Sequence, residues 1–209
     1  MRLPLPPALV QDRVVAVLRA THAREYAPVV EALVAGGIRS IELTLSTEGV
    51  FDLLPDLVGY GCVGVGTVTT RDEAERALDG GAAFLVTPTF APSVVAAGVD
   101  RGVPVLSGGF TPTELHAGWQ AGAAAVKLFP ASTVGTGYLA QLRGPFPGMP
   151  VVPSGGVGVD DAAGWIRAGS VAVSVGGPLL QDAFRGGSLP DLTARSEALL
   201  AAVAAVGTP

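Results

Sequence analysis

The chain has very little of the residues that usually furnish surface chemistry. Among its 209 residues there is one lysine, one cysteine and two histidines, and the other twelve basic residues are all arginine. The single cysteine, Cys62, excludes an internal disulfide framework. With only His22 and His116 beside it, a Cys/His zinc cluster is excluded on numbers, and no metal or other cofactor is expected. Aromatics are 6% of the residues, no basic block occurs and the formal charge is −5. These argue against nucleic acid or an anionic membrane as the main partner. They do not argue against a small anion, because a site can be locally positive. The mean hydropathy of +0.49 is high, yet no apolar run reaches the roughly 18 residues a spanning helix needs. The opening "MRLPLPPALVQDR" lacks the continuous apolar stretch of a signal peptide. The expectation is a cytoplasmic protein, one domain over residues 1–209.

What the chain does have is glycine at regular intervals. Helix-like segments end in Gly and give way to short β-branched runs, as in "ALVAGGIRSIELT", "ALDGGAAFLVTP" and "WIRAGSVAVSVGG". Glycine is favoured just past a helix C-terminus because it enters the left-handed region without a Cβ penalty. The marks fall near Gly36, Gly59, Gly80, Gly102, Gly122, Gly148 and Gly169, 20 to 26 residues apart, the length of one strand plus one helix. Helix starts are marked too: "TRDE" sets Thr70 three residues before Glu73 and "TPTE" sets Thr111 three before Glu114, both capping boxes. Strands are predicted over 14–18, 41–45, 62–66, 83–86, 103–107, 125–129, 150–154 and 171–175. They are apolar on both faces, which suits a parallel sheet covered by helices. Eight such units predict an α/β fold, a (β/α)8 TIM barrel, in preference to an open doubly wound sheet. The stretch "LPDLTARSEALLAAVAAV" predicts a closing helix.

In such a barrel the active site lies at the C-terminal ends of the strands, so the polar residues there are the candidates. Arg19 follows the first strand, Glu42 lies in the second, Thr67 follows the third and Pro88 the fourth. Lys127 lies in the sixth with Phe129 after it; Ser154, Gly155 and Gly156 follow the seventh; Gly176 and Gly177 follow the eighth. Lys127 and Glu42 are the two charges inside otherwise apolar strands. Burial disfavours an ammonium, and a neutral amine can attack a carbonyl to form a Schiff base. Glu42 would then be the general acid/base. The bland alternative is a structural ion pair across the lumen, which seldom contributes much net stability. Each glycine pair is read as leading into a helix, where backbone N–H groups can bind phosphate. Arg19 suits a carboxylate or phosphate. His22, His116, Trp119 and Trp165 are read as structural.

Taken together, "VVAVLRA", "IRSIELTLSTE", "VGVGTV", "FLVTP", "AAAVKLFPAS" and "VPSGGV" resemble the class I 2-keto-3-deoxy-6-phosphogluconate (KDPG) aldolase / 4-hydroxy-2-oxoglutarate (KHG) aldolase family, in family order from about residue 14 to 178. The resemblance implies a metal-free homotrimer that cleaves KDPG reversibly to pyruvate and glyceraldehyde 3-phosphate. Lys127 matches the Schiff-base lysine and Glu42 the acid/base. Arg19, Thr67, Pro88 and Phe129 match the pyruvate side, and Gly155, Gly156, Gly176 and Gly177 the phosphate loops. Two positions depart from the pattern. Ser46 stands where members with "TLRTE" carry arginine, so the carboxylate contact would fall to Arg19. Pro178 stands where many members carry serine after the last glycine of strand eight, which removes an N–H and a hydroxyl. The same chemistry on the galactonate epimer, on 4-hydroxy-2-oxoglutarate or on an unphosphorylated analogue therefore stays open. So do a phosphosugar isomerase or epimerase, a thiamin-phosphate-synthase-like transferase and a binding-only barrel.

Overall fold

The computed structural model describes residues 2–207. Helix α1 (Pro7–Asp12) precedes strand β1 (Val14–Leu18), and strand and helix then alternate: α2 (Tyr26–Ala35), β2 (Ser40–Thr44), α3 (Val50–Leu57), β3 (Cys62–Gly66), α4 (Arg71–Asp79), β4 (Leu85–Val86) and α5 (Pro92–Asp100). The second half continues with β5 (Val105–Gly109), α6 (Pro112–Gln120), β6 (Ala125–Leu128), α7 (Gly137–Arg143), β7 (Val151–Pro153), α8 (Ala162–Arg167), β8 (Val173–Val175), α9 (Gly177–Leu180) and α10 (Leu189–Ala204). Every strand pair is parallel, and the order β7-β6-β5-β4-β3-β2-β1-β8 runs around a ring. The seam between β7 and β8 is closed by the Val171 N–H donating to the Val151 carbonyl at 3.0 Å and by a parallel bridge between Ser154 and Ser174. The fold is a (β/α)8 barrel.

Strand alternation divides the apolar residues into two bodies. Outward-facing residues such as Ile41, Leu43, Val63, Val65, Val126 and Leu128 pack under the helices. Val15, Phe84, Val86, Leu106, Ala125, Val152 and Ala172 fill the lumen, joined by Leu9 from α1, which is fully buried. Gly64 makes room for this layer: a Cβ there would lie 2.5 Å from the Phe84 ring. The lumen is therefore packed at its N-terminal end and open only at the other.

Several strands are shorter than expected: β8 starts at Val173 rather than at residue 171, and two others are trimmed where proline intervenes. β5 begins at Val105 rather than at residue 103, because Pro104 has no N–H to donate and the Val103 N–H closes α5 on the Gly98 carbonyl at 2.8 Å. Pro150 trims β7 in the same way: it accepts from the Val126 N–H at 2.9 Å but cannot donate. β4 shortens to two residues. Helix α1 was not expected. It lies in a proline-rich opening, starts with Pro7 at its first position and has no side-chain cap. Both capping boxes are present, with the Thr70 and Thr111 hydroxyls accepting from the Glu73 and Glu114 N–H groups. The closing helix, expected over 189–206, is α10.

Candidate active site

A cavity of about 670 Å³ opens at the C-terminal ends of the strands. Arg19, Glu42, Thr67, Pro88, Lys127, Phe129, Ser154, Gly155, Gly156, Gly176 and Gly177 all line it. β2 and β6 stand opposite each other in the ring of eight, so inward residues on them converge on the axis. There Lys127 Nζ donates to Glu42 Oε1 at 3.3 Å, with Lys127 7% and Glu42 1% exposed. The carboxylate fits because its neighbour β3 carries glycine: at Gly66 a Cβ would overlap the Glu42 side chain. Glu42 Oε2 is buried and has no hydrogen-bond partner among the described residues. An orphaned carboxylate oxygen is costly in the resting protein and is an acceptor available to a ligand hydroxyl. The Phe129 ring lies 5.8 Å from Nζ and is itself 41% exposed, forming part of the wall.

Arg19 sits at the rim, with no hydrogen bond or ion pair to its side chain among the described residues. Its neighbours are fixed. The Leu18 carbonyl accepts from the Thr44 hydroxyl at 2.9 Å and from Tyr26 Oη at 3.2 Å, and the Ala20 N–H donates to Thr47 Oγ1 at 3.1 Å. Burial pushes the Tyr26 phenol up from its ordinary value, so it stays protonated and donates to Thr47 Oγ1 at 2.7 Å. Thr67 holds φ at +62°, where a β-branched residue is strained; strain of this kind gathers at functional sites. Ser46 shares a hydrogen bond with the Thr44 hydroxyl at 3.1 Å and does not line the cavity.

The two glycine pairs differ from each other. Gly176–Gly177 leads directly into α9. Gly155–Gly156 does not lead into a helix, since α8 starts only at Ala162. Both residues of that pair have positive φ, +84° and +73°, and turn the chain sharply against the Phe129–Ser132 segment. The Ala131 N–H donates to the Ser154 carbonyl at 2.7 Å and the Ser132 N–H to the Gly155 carbonyl at 3.1 Å, zipping the loops after β6 and β7 together. A Cβ on Gly155 would lie 2.8 Å from the Phe129 ring, so this pair is required by packing whatever it binds.

Some lining residues were not anticipated: Glu25, Gln181, Phe184 and Arg185 among them. Gln181 follows α9 directly, and the others lie on short 3-10 turns, Ala23–Glu25 after β1 and Ala183–Arg185 after α9, where neither periodicity nor a strand end marks them. The histidines and tryptophans lie elsewhere. His116 stacks on Phe146 with centroids 4.4 Å apart, and His22 Nδ1 is 3.1 Å from Glu48 Oε2.

A barrel with one buried amine meeting a carboxylate at the open end of its lumen has the layout of a Schiff-base carbon–carbon lyase. Residues 7–190 match the family model for KDPG and KHG aldolase. The chain is 33% identical over 210 residues to a probable 2-dehydro-3-deoxy-6-phosphogalactonate aldolase of Rhizobium meliloti, covering 98% of this chain and 97% of that one. It is also 33% identical to a 2-dehydro-3-deoxy-phosphogluconate aldolase of Treponema pallidum, over 76% of this chain and 78% of the other. A KDPG aldolase from Legionella pneumophila, whose structure holds pyruvate captured at low pH as a covalent carbinolamine, superposes with a TM-score of 0.85. Identity there is 26%, over 93% of this chain and 98% of the other. The chain belongs to the KDPG and KHG aldolase family, and is a class I pyruvate aldolase.

Proposed function

We propose that the substrate is 2-keto-3-deoxy-6-phosphogluconate, cleaved reversibly to pyruvate and glyceraldehyde 3-phosphate, with Lys127 as the nucleophile and Glu42 as the proton carrier. One observation carries the reading: the chain's single lysine lies at the cavity floor, 3.3 Å from a carboxylate that is 1% exposed. The Lys127 amine attacks the C2 carbonyl, and the carbinolamine loses water to give a protonated imine. Glu42 takes the proton from the C4 hydroxyl. The C3–C4 electron pair moves into the imine, the aldehyde leaves and an enamine remains. C3 regains a proton, and water hydrolyses the imine to release pyruvate and restore the amine. Arg19, at the rim without an acid partner, holds the substrate carboxylate, and Thr67, Pro88 and Phe129 wall the keto-acid end. Ser154 and the two glycine pairs border the space for the phosphorylated end.

A second reading, the galactonate epimer, is favoured by the Rhizobium meliloti relative, which is named for that substrate and matches over 98% of this chain. The two substrates differ only in configuration at C4, so the imine chemistry is common to both. Family resemblance also supports a homotrimer, which light scattering would test. Incubation with pyruvate and borohydride, followed by intact mass and peptide mapping, tests the nucleophile: a reduced adduct on Lys127 is expected. Folded protein without an adduct, or a Lys127→Ala variant with undiminished turnover, would sink the reading. Comparing kcat/KM for the two epimers, with 4-hydroxy-2-oxoglutarate alongside, then decides the substrate. A preference of at least tenfold for KDPG is the expected result.

A further inference from the structure

At the phosphorylated end of the cavity the two glycine pairs can offer N–H groups, but the turn after β8 adds few more and no charge. α9 is a single turn of four residues, and its second residue is Pro178, which has no N–H. The next N–H groups are already used: Leu179 and Leu180 donate to the Gly176 carbonyl at 2.9 and 3.0 Å, and Gln181 to the Gly177 carbonyl at 2.7 Å. A phosphate monoester carries about −1.5 to −2 charge at neutral pH, which such a turn cannot offset alone.

We infer that Arg185 supplies the missing charge and selects for a terminal phosphate on the aldehyde half of the substrate. This assignment rests on reading the cavity as the site for a phosphorylated keto acid. Arg185 lines the cavity on the segment after α9, and no carboxylate pairs with it among the described residues; its guanidinium makes one long contact, 3.4 Å from Nη2 to the Gln181 carbonyl. Arg39, Arg71 and Arg101 are paired with acids, and Arg2, Arg13, Arg143 and Arg195 are held by backbone carbonyls away from the cavity. The turn that carries Arg185 is built to hold its place. The Arg185 and Gly187 N–H groups both donate to the Asp182 carbonyl, at 2.7 and 3.0 Å, Gly186 turns at φ +83°, and a Cβ on Gly187 would overlap the Asp182 carboxylate.

The residue before Arg185 ties it to the rest of the site. Phe184 packs edge-on to Tyr26 at 5.8 Å, and the Tyr26 hydroxyl bonds the Leu18 carbonyl, the residue before Arg19. Both arginines of the cavity are therefore mounted on one aromatic pair. β8 and β1 are neighbours in the ring, so two unpartnered cations stand on one side of the opening. A substrate with a carboxylate at one end and a phosphate at the other asks for two. Arg19, directly after β1, takes the carboxylate, and Arg185, on the segment after β8, takes the phosphate bidentately.

Equilibrium binding of glycerol 3-phosphate, which cannot form an imine, tests this apart from the lysine chemistry. Glycerol serves as the control, and the proteins are wild type, Arg185→Gln and Arg185→Lys. Wild type is expected to bind the phosphate ester and not glycerol, Arg185→Gln to bind it about 10 to 100-fold more weakly, and Arg185→Lys to recover part of the loss. In the condensation direction, the ratio of kcat/KM for glyceraldehyde 3-phosphate over glyceraldehyde should fall by a similar factor in Arg185→Gln. An unchanged dissociation constant, no binding by wild type, or an equal fall on both aldehydes would overturn the assignment. A missing pyruvate–Lys127 adduct would sink the aldolase reading of the lysine while leaving the glycerol 3-phosphate result to stand or fall alone.

Discussion

At position 66 a Cβ would meet the carboxylate of Glu42, so the glycine there belongs to the site although it contributes no functional group. Gly66→Ala is expected to push Glu42 off the Lys127 amine and lower kcat by about 10² or more, the scale on which misplaced general acid/base groups lose their effect. Thermal stability would fall far less than activity. Steady-state kinetics beside a melting curve check this, and a variant with wild-type kcat would count against the role of Glu42. Lys127 and Glu42 were both legible in the sequence as charges inside apolar strands. Their meeting followed once eight strands closed a ring, since the second and sixth then face each other. Arg185 and Glu25 were not legible. Each ends a single 3-10 turn, too short to leave a periodic pattern, and only the folded chain brings them to the same opening.

Among the elements, the starts of α4 and α6 were readable because a capping box is a local device. Thr70 and Thr111 each accept from the N–H three residues on, and Glu73 and Glu114 reach back in return. Thr70→Ala should cost about 1 kcal/mol, lowering the melting temperature by roughly 2–4 °C in a domain of this size. The N–H groups of Thr111 and Phe110 with the Thr111 hydroxyl hold the Glu114 carboxyl below its ordinary value. Burial pushes the Glu73 carboxyl up, but the N–H and hydroxyl groups of Thr69 and Thr70 outweigh it and the net shift is downward. A carboxyl depressed in the folded state binds fewer protons there than in the unfolded chain. Its stabilisation is thus complete above the unfolded value, near 4.3, and lost as pH falls through the folded one. A Glu73→Gln, Glu114→Gln double variant should therefore melt below wild type at pH 7, and the gap should close toward pH 3. A gap constant with pH would refute the linkage. Strand limits were less readable than these helix starts. Pro104 and Pro150 sit within apolar runs and accept from the neighbouring strand without donating, so each strand begins at the residue after its proline.

On the scale of the whole molecule, the barrel separates stability from chemistry. Leu9, Phe84, Leu106 and Val152 pack the lumen at one end, and the cavity opens at the other. Leu9→Ala should cost about 2–5 kcal/mol through lost burial and a cavity that α1 cannot collapse to fill. KM and kcat should stay within twofold, because the N-terminal face of such barrels serves stability. Denaturant titration with kinetics at 25 °C checks both parts, and a large change in KM would show the two ends to be coupled. Barrel closure was legible from the count of eight alternating units. The plug was not, because "LPLPPALV" has the composition of a loop and shows its helix only when Leu9 has a lumen to enter.

The scarcity of lysine reaches beyond catalysis. Apart from the amino terminus, every primary amine of this chain amounts to one group, and that group is 7% exposed beneath a cavity. Bifunctional amine reagents will find no second surface lysine to bridge, so any cross-link between subunits must run through an amino terminus. A small acylating agent that fits the cavity would do the opposite. It would mark each chain once at that position, and peptide mapping would separate that mark from one on the amino terminus.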